Sequence, residues 1–250
     1  MDGLGMASPI SIVMTVRDRW PLTKQALESL EATTQDFDLT IIDDASREEN
    51  SKSLVDWIHK DHKRNRYTLE RNESPRGVGG SKNQGIERCR QFDSKYVCSV
   101  DNDIVFKPQW LEILVGAYEA AKYLGYRLIG GGCHPFNRTN KIHECFNSIR
   151  VDLQTMTALE SNKGYTIHEK NAVDGLCHFM DWETWDRFGP YDAHAQGVRQ
   201  SEDFAFCRKI VDAGFKVGVV YPHVIENHGV VDTFGERIPG AELVEKELAK

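Results

Sequence analysis

Short apolar runs alternate with helical periodicity through the first half of the chain. Ile10 to Val16 is a largely apolar run that predicts a buried strand. Pro21 follows it and predicts the first turn of a helix, where proline is tolerated. The same pattern predicts strands at Asp38–Asp44, Arg66–Asn72 and Lys95–Val100, and helices at about Lys52–Lys60 and Gln109–Leu124. Strands joined by helices of this length run parallel, so we expect an α/β fold with a Rossmann-like, mostly parallel central sheet flanked by helices.

The pattern changes after about residue 135. Phe136 to Asn171 is polar and poorly periodic, which predicts long loops or irregular strands. Regular periodicity then returns, with strands at Ala172–Met180 and Lys216–Pro222 and helices at Asp181–Gly189, Ser201–Gly214 and Gly240–Lys250. No internal repeat or linker interrupts the chain, and we expect one domain over residues 1–250.

Carboxylates stand where two of the predicted strands end. Asp43 and Asp44 follow the second strand, and Asp101 and Asp103 follow the fourth. Ligands of parallel sheets bind beyond the carboxyl ends of the strands, so these acids mark one edge as a candidate site. Mg²⁺ and Mn²⁺ prefer oxygen ligands and often share their coordination shell with substrate phosphates. The D-x-D spacing alone fits a solvated turn about as well as a metal site.

Two further segments carry candidate chemistry. "RGVGGSKNQG", from Arg76 to Gly85, is predicted to be a glycine-rich loop that enters a helix and can approach a diphosphate closely, although its spacing is not that of a P-loop. Glu202 and Asp203 begin a later predicted helix, where the helix dipole stabilises a carboxylate. His228 follows the last strand, and a lone histidine there is more often structural.

Composition narrows the class of protein. With 31 basic and 38 acidic residues the formal net charge is −7, which argues against general affinity for nucleic acid or anionic membranes. The six cysteines form no C-x-x-C pair, and most lie in apolar runs, which is typical of reduced, buried thiols in a cytoplasmic protein. A zinc site could be built from four further residues, although their spacing matches no standard zinc-binding pattern: Cys133, His134, His143 and Cys145. The chain shows neither a signal peptide nor a transmembrane run.

Seven segments, in this order, resemble the family 2 glycosyltransferases with the GT-A fold. They are "SIVMTVRDRW", "IIDDAS", "GVGGSKNQGI", "SVDNDIVFKPQWLEIL", "GLCHFMDWETWDRFGPYD", "SEDFAFCRKIVDAGFKVGVVYP" and "HVIENHG". Each is loose by itself, but the ordered set is specific. The resemblance extends over Ile10 to Gly229. It implies a nucleotide-sugar-binding half at 8–135 and an acceptor-binding half at 136–240.

The resemblance also implies roles for particular residues. The nucleotide of the donor, expected to be a UDP-sugar, would contact the first strand end, Asp44 and the glycine-rich segment. Mn²⁺ or Mg²⁺ would be held by Asp103, with Asp101 as partner and His228 completing the shell. Asp203 would be the general base, with Glu202 as second choice. The full set of implied donor-binding residues is Thr15, Val16, Arg17, Asp44, Lys82, Asp101 and Asn102.

The implied reaction is sugar transfer from a nucleotide diphosphate sugar to an acceptor hydroxyl, with inversion at the anomeric carbon. A cation neutralises the leaving diphosphate, and a carboxylate takes the acceptor proton. The acceptor is left open among a glycan, a lipid-linked molecule, a protein, a small molecule and a modified DNA base. Trp182, Trp185 and Phe188 recur at helical spacing and predict a buried helix face, with contact of Trp182 to the acceptor as the alternative.

Three other functions share some of these residues. An aspartyl phosphatase would use Asp101 as nucleophile and Asp103 as acid, but its motif normally opens the chain. A sugar-nucleotide-synthesising nucleotidyltransferase needs a glycine-rich first loop, and "TVRDRWPLTK" has no glycine. A non-catalytic sugar-nucleotide-binding protein would not need the complete set of acids.

Overall fold

The computed structural model describes residues 10–33, 36–59, 66–132, 148–152, 157–159, 165–194 and 201–229. The strands are β1 (Ile10–Val16), β2 (Asp38–Asp43), β3 (Arg66–Arg71), β4 (Tyr96–Asp101), β5 (Ile104–Phe106), β6 (Tyr126–Gly130), β7 (Ser148–Asp152), β8 (Thr157–Leu159), β9 (Tyr165–Lys170), β10 (Cys177–Asp181), β11 (Lys216–Tyr221) and β12 (Ile225–Asn227). The helices are α1 (Trp20–Glu31), α2 (Glu48–Ile58), α3 (Gly77–Cys89), α4 (Trp110–Lys122), α5 (Trp182–Phe188) and α6 (Glu202–Asp212). The proposed zinc group and the predicted C-terminal helix lie outside the described residues.

Ten strands form one mixed sheet in the order β3-β2-β1-β4-β10-β6-β11-β9-β7-β8. Strands β3, β2, β1, β4, β6 and β11 run in one direction, and β10 runs against its neighbours β4 and β6. The predicted α/β fold with a largely parallel centre is therefore confirmed. The polar segment before residue 171 contributes the antiparallel strands β7, β8 and β9 at one edge.

Strand β1 is buried on both faces because helices cover both sides of the sheet. Ile12 and Met14 belong to the core cluster that also contains Leu27 of α1 and Leu114 of α4. Val13 points the other way, into a cluster with residues of α3, α5 and α6. Burial on both faces explains the largely apolar run that predicted this strand.

The glycine-rich segment is helical from its start, so the prediction of a loop there is wrong. Helix α3 begins at Gly77 and includes Gly79, Gly80 and Gly85. A Cβ at Gly85 would lie 2.3 Å from Cγ1 of Val13, and one at Gly79 would lie 2.9 Å from the carbonyl oxygen of Asp192. At these two positions glycine lets the helix approach β1 and the segment before α6 closely.

The direction of β10 decides where α5 lies. Asp181, the last residue of β10, pairs with Tyr96 at the start of β4, so α5 begins at the edge opposite the carboxyl end of β4. Trp185 and Phe188 are buried, and the indole N–H of Trp182 donates to the carbonyl of Ser94 at 2.8 Å. The predicted buried helix face is confirmed, and the alternative contact of Trp182 with an acceptor at the site edge is wrong.

A two-stranded ribbon of β5 and β12 brings the last described segment to the D-x-D turn. The backbone N–H of His228 donates to the carbonyl of Asp103 at 2.8 Å. The N-terminal and C-terminal halves of the chain thus meet at the D-x-D turn.

The four cysteines in the described part of the chain, Cys89, Cys98, Cys177 and Cys207, are free and buried.

We expect Gly85→Ala to destabilise the protein, because the added methyl group meets Val13 and Ile42 in a closed core. Overpacking costs about 1–3 kcal/mol and exceeds the gain of about 1 kcal/mol from the helix propensity of alanine. Val13→Ala, which removes the contacting methyl groups, should make the double variant less destabilised than the sum of the two single variants. Denaturant unfolding of the four proteins measures this coupling. Strict additivity would contradict the close approach of α3 to β1.

Candidate functional site

A cavity of about 180 Å³ lies at the carboxyl ends of β1 and β4. This edge is where the acids at strand ends predicted a site. Six of the seven predicted donor-binding residues line this cavity, and the seventh, Lys82, does not. The complete lining is Thr15, Val16, Arg17, Arg19, Asp44, Gly77, Val78, Ser81, Asp101, Asn102 and Asp103.

The Asp101-Asn102-Asp103 turn is held by three different partners. The Asn102 side chain donates to the hydroxyl of Thr23 in α1 at 2.7 Å, which anchors the turn to the helix. Oδ1 of Asp101 lies 3.1 Å from the ammonium of Lys82, and Oδ2 of Asp103 lies 3.0 Å from Nη2 of Arg19. Each carboxylate therefore faces an internal cation, and the turn is not merely solvated.

Lys82 is the buried centre of the site. Its side chain is 1% exposed, and its ammonium contacts Asp101, Oε1 of Glu202 at 3.4 Å and the carbonyl of Gly175 at 2.9 Å. Burial by itself lowers the pKa of Lys82, but the two carboxylates outweigh it and raise the pKa above its usual value. Lys82 therefore stays charged and links the D-x-D turn to the start of α6.

The environment of Asp101 disfavours its charged form in part. Burial raises its pKa to about 6, Lys82 opposes this rise, and the neighbouring carboxylates of Asp103 and Glu202 add to it. Its side chain is still 26% exposed toward the cavity. A further cation in the cavity would compensate this crowding of carboxylates, as Lys82 already does from the buried side.

The first two residues of α6 have different surroundings. Asp203 accepts bonds from the backbone N–H of Gly175 at 2.8 Å, from that of Phe204 at 2.7 Å, and from the hydroxyl of Ser201. Burial raises the pKa of Asp203, but the Ser201 bond and nearby positive charge outweigh it and hold the pKa below its usual value. Glu202, with a side chain 18% exposed, has Lys82 as its ionic partner.

A buried strap, residues 172–175, supports both Lys82 and Asp203 through the peptide groups of Gly175. The strap is fixed from behind by His178, whose Nε2 lies 3.0 Å from the carbonyl of Val173. A carbonyl only accepts, so Nε2 carries the proton and Nδ1 accepts from the Tyr191 hydroxyl at 2.9 Å. Burial lowers the pKa of His178, which keeps the imidazole neutral in this arrangement.

Asp44 caps helix α3 from a neighbouring loop. Its Oδ1 accepts from the backbone N–H of Arg76 at 2.7 Å and from the side chain of Asn72 at 2.9 Å, and its Oδ2 accepts from the N–H of Gly77 at 3.0 Å. The carboxylate thus satisfies the first free amides of the helix. Asp44 lines the cavity while serving this structural role, so nucleotide binding by its carboxylate stays a prediction.

His228 is joined to the site through its backbone. Its Nδ1 lies 3.2 Å from the side-chain oxygen of Gln25, its Nε2 lies 3.8 Å from a carboxylate oxygen of Glu226, and the ring is not part of the cavity lining. Nε2 is buried without a hydrogen-bond partner among the described residues. A role for His228 in holding a metal stays a prediction.

The two aspartates of the turn have the donor chemistry for a hard divalent cation. In the described part of the chain no three histidine, cysteine or acidic side chains are gathered as a metal site. Mg²⁺ and Mn²⁺ commonly use one or two protein carboxylates and complete their shell with phosphate oxygens and water. Asp101 and Asp103, side by side at the cavity, fit that kind of site.

Sequence reasoning did not single out four residues that line the cavity: Arg19, Gly77, Val78 and Ser81. Arg19 follows β1 in the segment "VRDRWP", and its basic character close to a strand end was the available signal. The position of its side chain depends on a backbone conformation that the pattern of apolar residues does not report. Gly77, Val78 and Ser81 belong to the glycine-rich segment that was expected to approach a diphosphate, and they line the cavity from the first turns of α3.

We expect Lys82→Met to destabilise the protein by about 3–5 kcal/mol, because it leaves Asp101 and Glu202 without their buried counter-charge. Lys95→Met is the matched control, since Lys95 is exposed and pairs with Glu119 on the surface. That exposed pair should contribute about 0–1 kcal/mol. Urea unfolding measures both variants. Equal effects at the two positions would contradict the central role of Lys82.

Among the described residues, no helix has the length and apolar character needed to cross a bilayer.

Comparison with solved structures shows the fold. The mannosyltransferase PcManGT from Pyrobaculum calidifontis, in complex with GDP-Man and Mn²⁺, is 15% identical with a TM-score of 0.55, over 86% of this chain and 57% of that one. TarS 1-349 from S. aureus is 12% identical with a TM-score of 0.57, over 86% and 59%. Its complex with UDP-GlcNAc is 13% identical with a TM-score of 0.55, over 86% and 57%. This chain matches less than two thirds of the length of each, and the shared fold is that of GT-A glycosyltransferases.

The family model described as Glycosyl transferase family 2 matches residues 11–180. The matched range contains every residue that lines the cavity, from Thr15 to Asp103, and the buried Lys82. The matched range ends before α6. Two contacts connect the carboxylates of α6 with it: the ion pair of Lys82 with Glu202 and the hydrogen bond from the Gly175 N–H to Asp203. Because the match extends over more than half of the 250 residues, the chain belongs to glycosyl transferase family 2.

Proposed function

We propose that this chain is an inverting, metal-dependent glycosyltransferase that moves a sugar from a nucleotide diphosphate sugar to an acceptor hydroxyl. The observation that carries the proposal is the buried ion-pair array in a family 2 fold. Lys82 joins an aspartate at the cavity to the acidic start of α6. The array supports the proposal because Lys82 connects Asp101, a proposed metal ligand, with Glu202, which precedes the proposed base Asp203.

The donor would lie in the cavity at the ends of β1 and β4. Thr15, Val16 and Arg17 line the cavity and are our proposed contacts for the nucleotide. Asp44 also lines it and is our proposed contact for the nucleobase. Asn102 also lines the cavity and is a further proposed contact of the donor; its side chain fixes the turn that carries the two aspartates proposed to bind the metal. The similar structures were solved with GDP-Man and with UDP-GlcNAc, so both bases belong in any test of our proposed UDP-sugar donor.

Asp103 and Asp101 are our proposed ligands for Mn²⁺ or Mg²⁺, and His228 is proposed to complete the shell. When bound, such a cation neutralises charge that develops on the leaving diphosphate. Lys82 stays a proposed contact of the donor, and in the structure its ammonium is paired with Asp101 and Glu202. These pairs also keep the two carboxylates in place.

In the transfer step, the acceptor oxygen forms a bond to the anomeric carbon as the bond from that carbon to the diphosphate oxygen breaks. The acceptor proton passes to a carboxylate, and the products are the inverted glycoside and the nucleoside diphosphate. Asp203 is our proposed base, since its three donors fix its orientation and its lowered pKa keeps it ionised. Glu202 is the second choice because its charge is shared with Lys82.

We expect the protein to bind and slowly hydrolyse at least one nucleotide sugar in the presence of Mn²⁺ and to lose both responses in EDTA. Calorimetry measures the binding of each nucleotide sugar in a panel that includes UDP-GlcNAc and GDP-Man, and the release of free nucleoside diphosphate measures its hydrolysis. Asp103→Asn should weaken the Mn²⁺-dependent response, whereas Asp56→Asn, the same change on an exposed position of α2, should not. A panel without any metal-dependent response would overturn the proposed function.

We expect Asp203→Asn to slow sugar transfer or donor hydrolysis by about 10²–10⁴-fold, the usual contribution of a general base, with donor affinity preserved. Glu202→Gln should have a smaller effect on rate and a larger effect on stability, since it removes a partner of Lys82. Single-turnover rates and donor titrations separate the two. A large loss of rate in Glu202→Gln with near-normal Asp203→Asn would assign the base to Glu202 instead.

A further inference from the structure

Arg19 has an unusual backbone at the mouth of the cavity. Asp18 and Arg19 both have positive φ, 55° and 58°, a conformation that costs non-glycine residues energy. The loop after β2 and the first turn of α2 hold this turn in place: the Ser46 hydroxyl accepts from the N–H of Asp18 at 2.8 Å, and the Asn50 side chain accepts from the N–H of Trp20 at 3.1 Å. This backbone conformation fixes the direction of the Arg19 side chain, just before α1 begins.

The guanidinium of Arg19 is charged, largely buried and incompletely bonded. Its side chain is 16% exposed and lines the cavity, with Nη2 3.0 Å from Oδ2 of Asp103. Neither Nε nor Nη2 makes a hydrogen bond within the described residues, so the contact with Asp103 is an ion pair without hydrogen-bond geometry. Buried donors of a charged group are costly to leave unbonded. They therefore indicate a ligand with oxygen acceptors.

The backbone of Gly229 packs closely against the ion pair of Asp103 and Arg19. A Cβ at Gly229 would lie 2.1 Å from Oδ2 of Asp103 and 2.9 Å from Nη2 of Arg19. The absence of a side chain at residue 229 thus lets the two charges meet. Since Asp103 is also our proposed metal ligand, Arg19 stands where a positive charge is needed when no cation is bound.

We propose that Arg19 is the counter-ion of Asp103 in the empty cavity and a ligand of the donor's phosphate oxygens in the filled one. This rests on the proposed function. Arg19 neutralises Asp103 until a divalent cation takes over that charge, and the guanidinium then serves the diphosphate. Guanidinium pairs with phosphate oxygens through parallel charge-assisted hydrogen bonds, which need the donors that Arg19 leaves unused. Cation and nucleoside diphosphate would consequently bind with positive coupling.

The exchange predicts opposite effects of one substitution on two ligands. Arg19→Gln should weaken binding of UDP or GDP by about tenfold or more, because a charge-assisted pair is lost. The same variant should bind Mn²⁺ alone more tightly than the wild type does, because Asp103 no longer has an internal competitor. Binding of uridine and guanosine, which lack phosphate, should not change.

Calorimetric titrations with Mn²⁺, with UDP and GDP, and with the two nucleosides measure these affinities. Lys24→Gln is the matched control: it removes one positive charge from an exposed position of α1, the helix that Arg19 precedes, and should leave all affinities unchanged. Arg19→Lys keeps the charge but not the planar fork. Arg19→Lys should therefore bind Mn²⁺ like the wild type and bind nucleoside diphosphates less tightly. It tests the phosphate contact even if Arg19→Gln does not fold.

Two results would contradict the inference. Nucleoside diphosphate affinity that is the same in wild type, Arg19→Gln and Arg19→Lys would remove Arg19 from the phosphate site. Weaker or unchanged Mn²⁺ binding by Arg19→Gln would exclude competition for Asp103. In both cases the wild type still binds nucleoside diphosphate and the proposed function stands. Failure of the wild type itself to bind UDP or GDP would overturn the proposed function and this inference together.

Discussion

The ammonium of Lys82, buried between Asp101 and Glu202, is the interaction on which the arrangement of the site depends. A single positive charge there compensates carboxylates from two distant parts of the chain, β4 and α6. Removing any charged group from water is costly, and the cost is recovered only while all partners stay in place. The array therefore holds the cavity edge and the acidic helix start in a fixed relation.

Helix α3 must be placed accurately for Lys82 to reach this position. Gly85 lets the helix approach β1, and Asp44 binds its first amides from the loop after β2. The strap at 172–175 then closes over the lysine, with His178 and Tyr191 bonded behind it. Packing of small residues and capping by a distant carboxylate thus act together to position one charge, and that charge positions the candidate chemistry.

Much of the fold was predictable because apolar periodicity reports burial. The run Ile10–Val16 is buried on both faces, and the strand–helix alternation through α4 was read with errors at the element ends. The prediction of a loop in the glycine-rich segment is wrong because glycine occurs both where the backbone must bend and where a helix must approach its neighbour closely. The reversed direction of β10 also had no local signal, because alternation and composition do not depend on the direction of a strand.

Composition and spacing along the chain specify which residue types stand at the carboxyl ends of β1, β2 and β4, and they carry the ordered motifs of the family. They also specify that Glu202 and Asp203 begin a helix. Which charges meet, by contrast, depends on the folded arrangement: Arg19 with Asp103, Lys82 with Asp101 and Glu202, and Asp44 with the amides of α3. The physical reason is that spacing along the chain specifies local conformation. Ion pairs between distant segments, by contrast, depend on sheet order, on the close approach of helices and on a strained turn such as the one at Asp18 and Arg19.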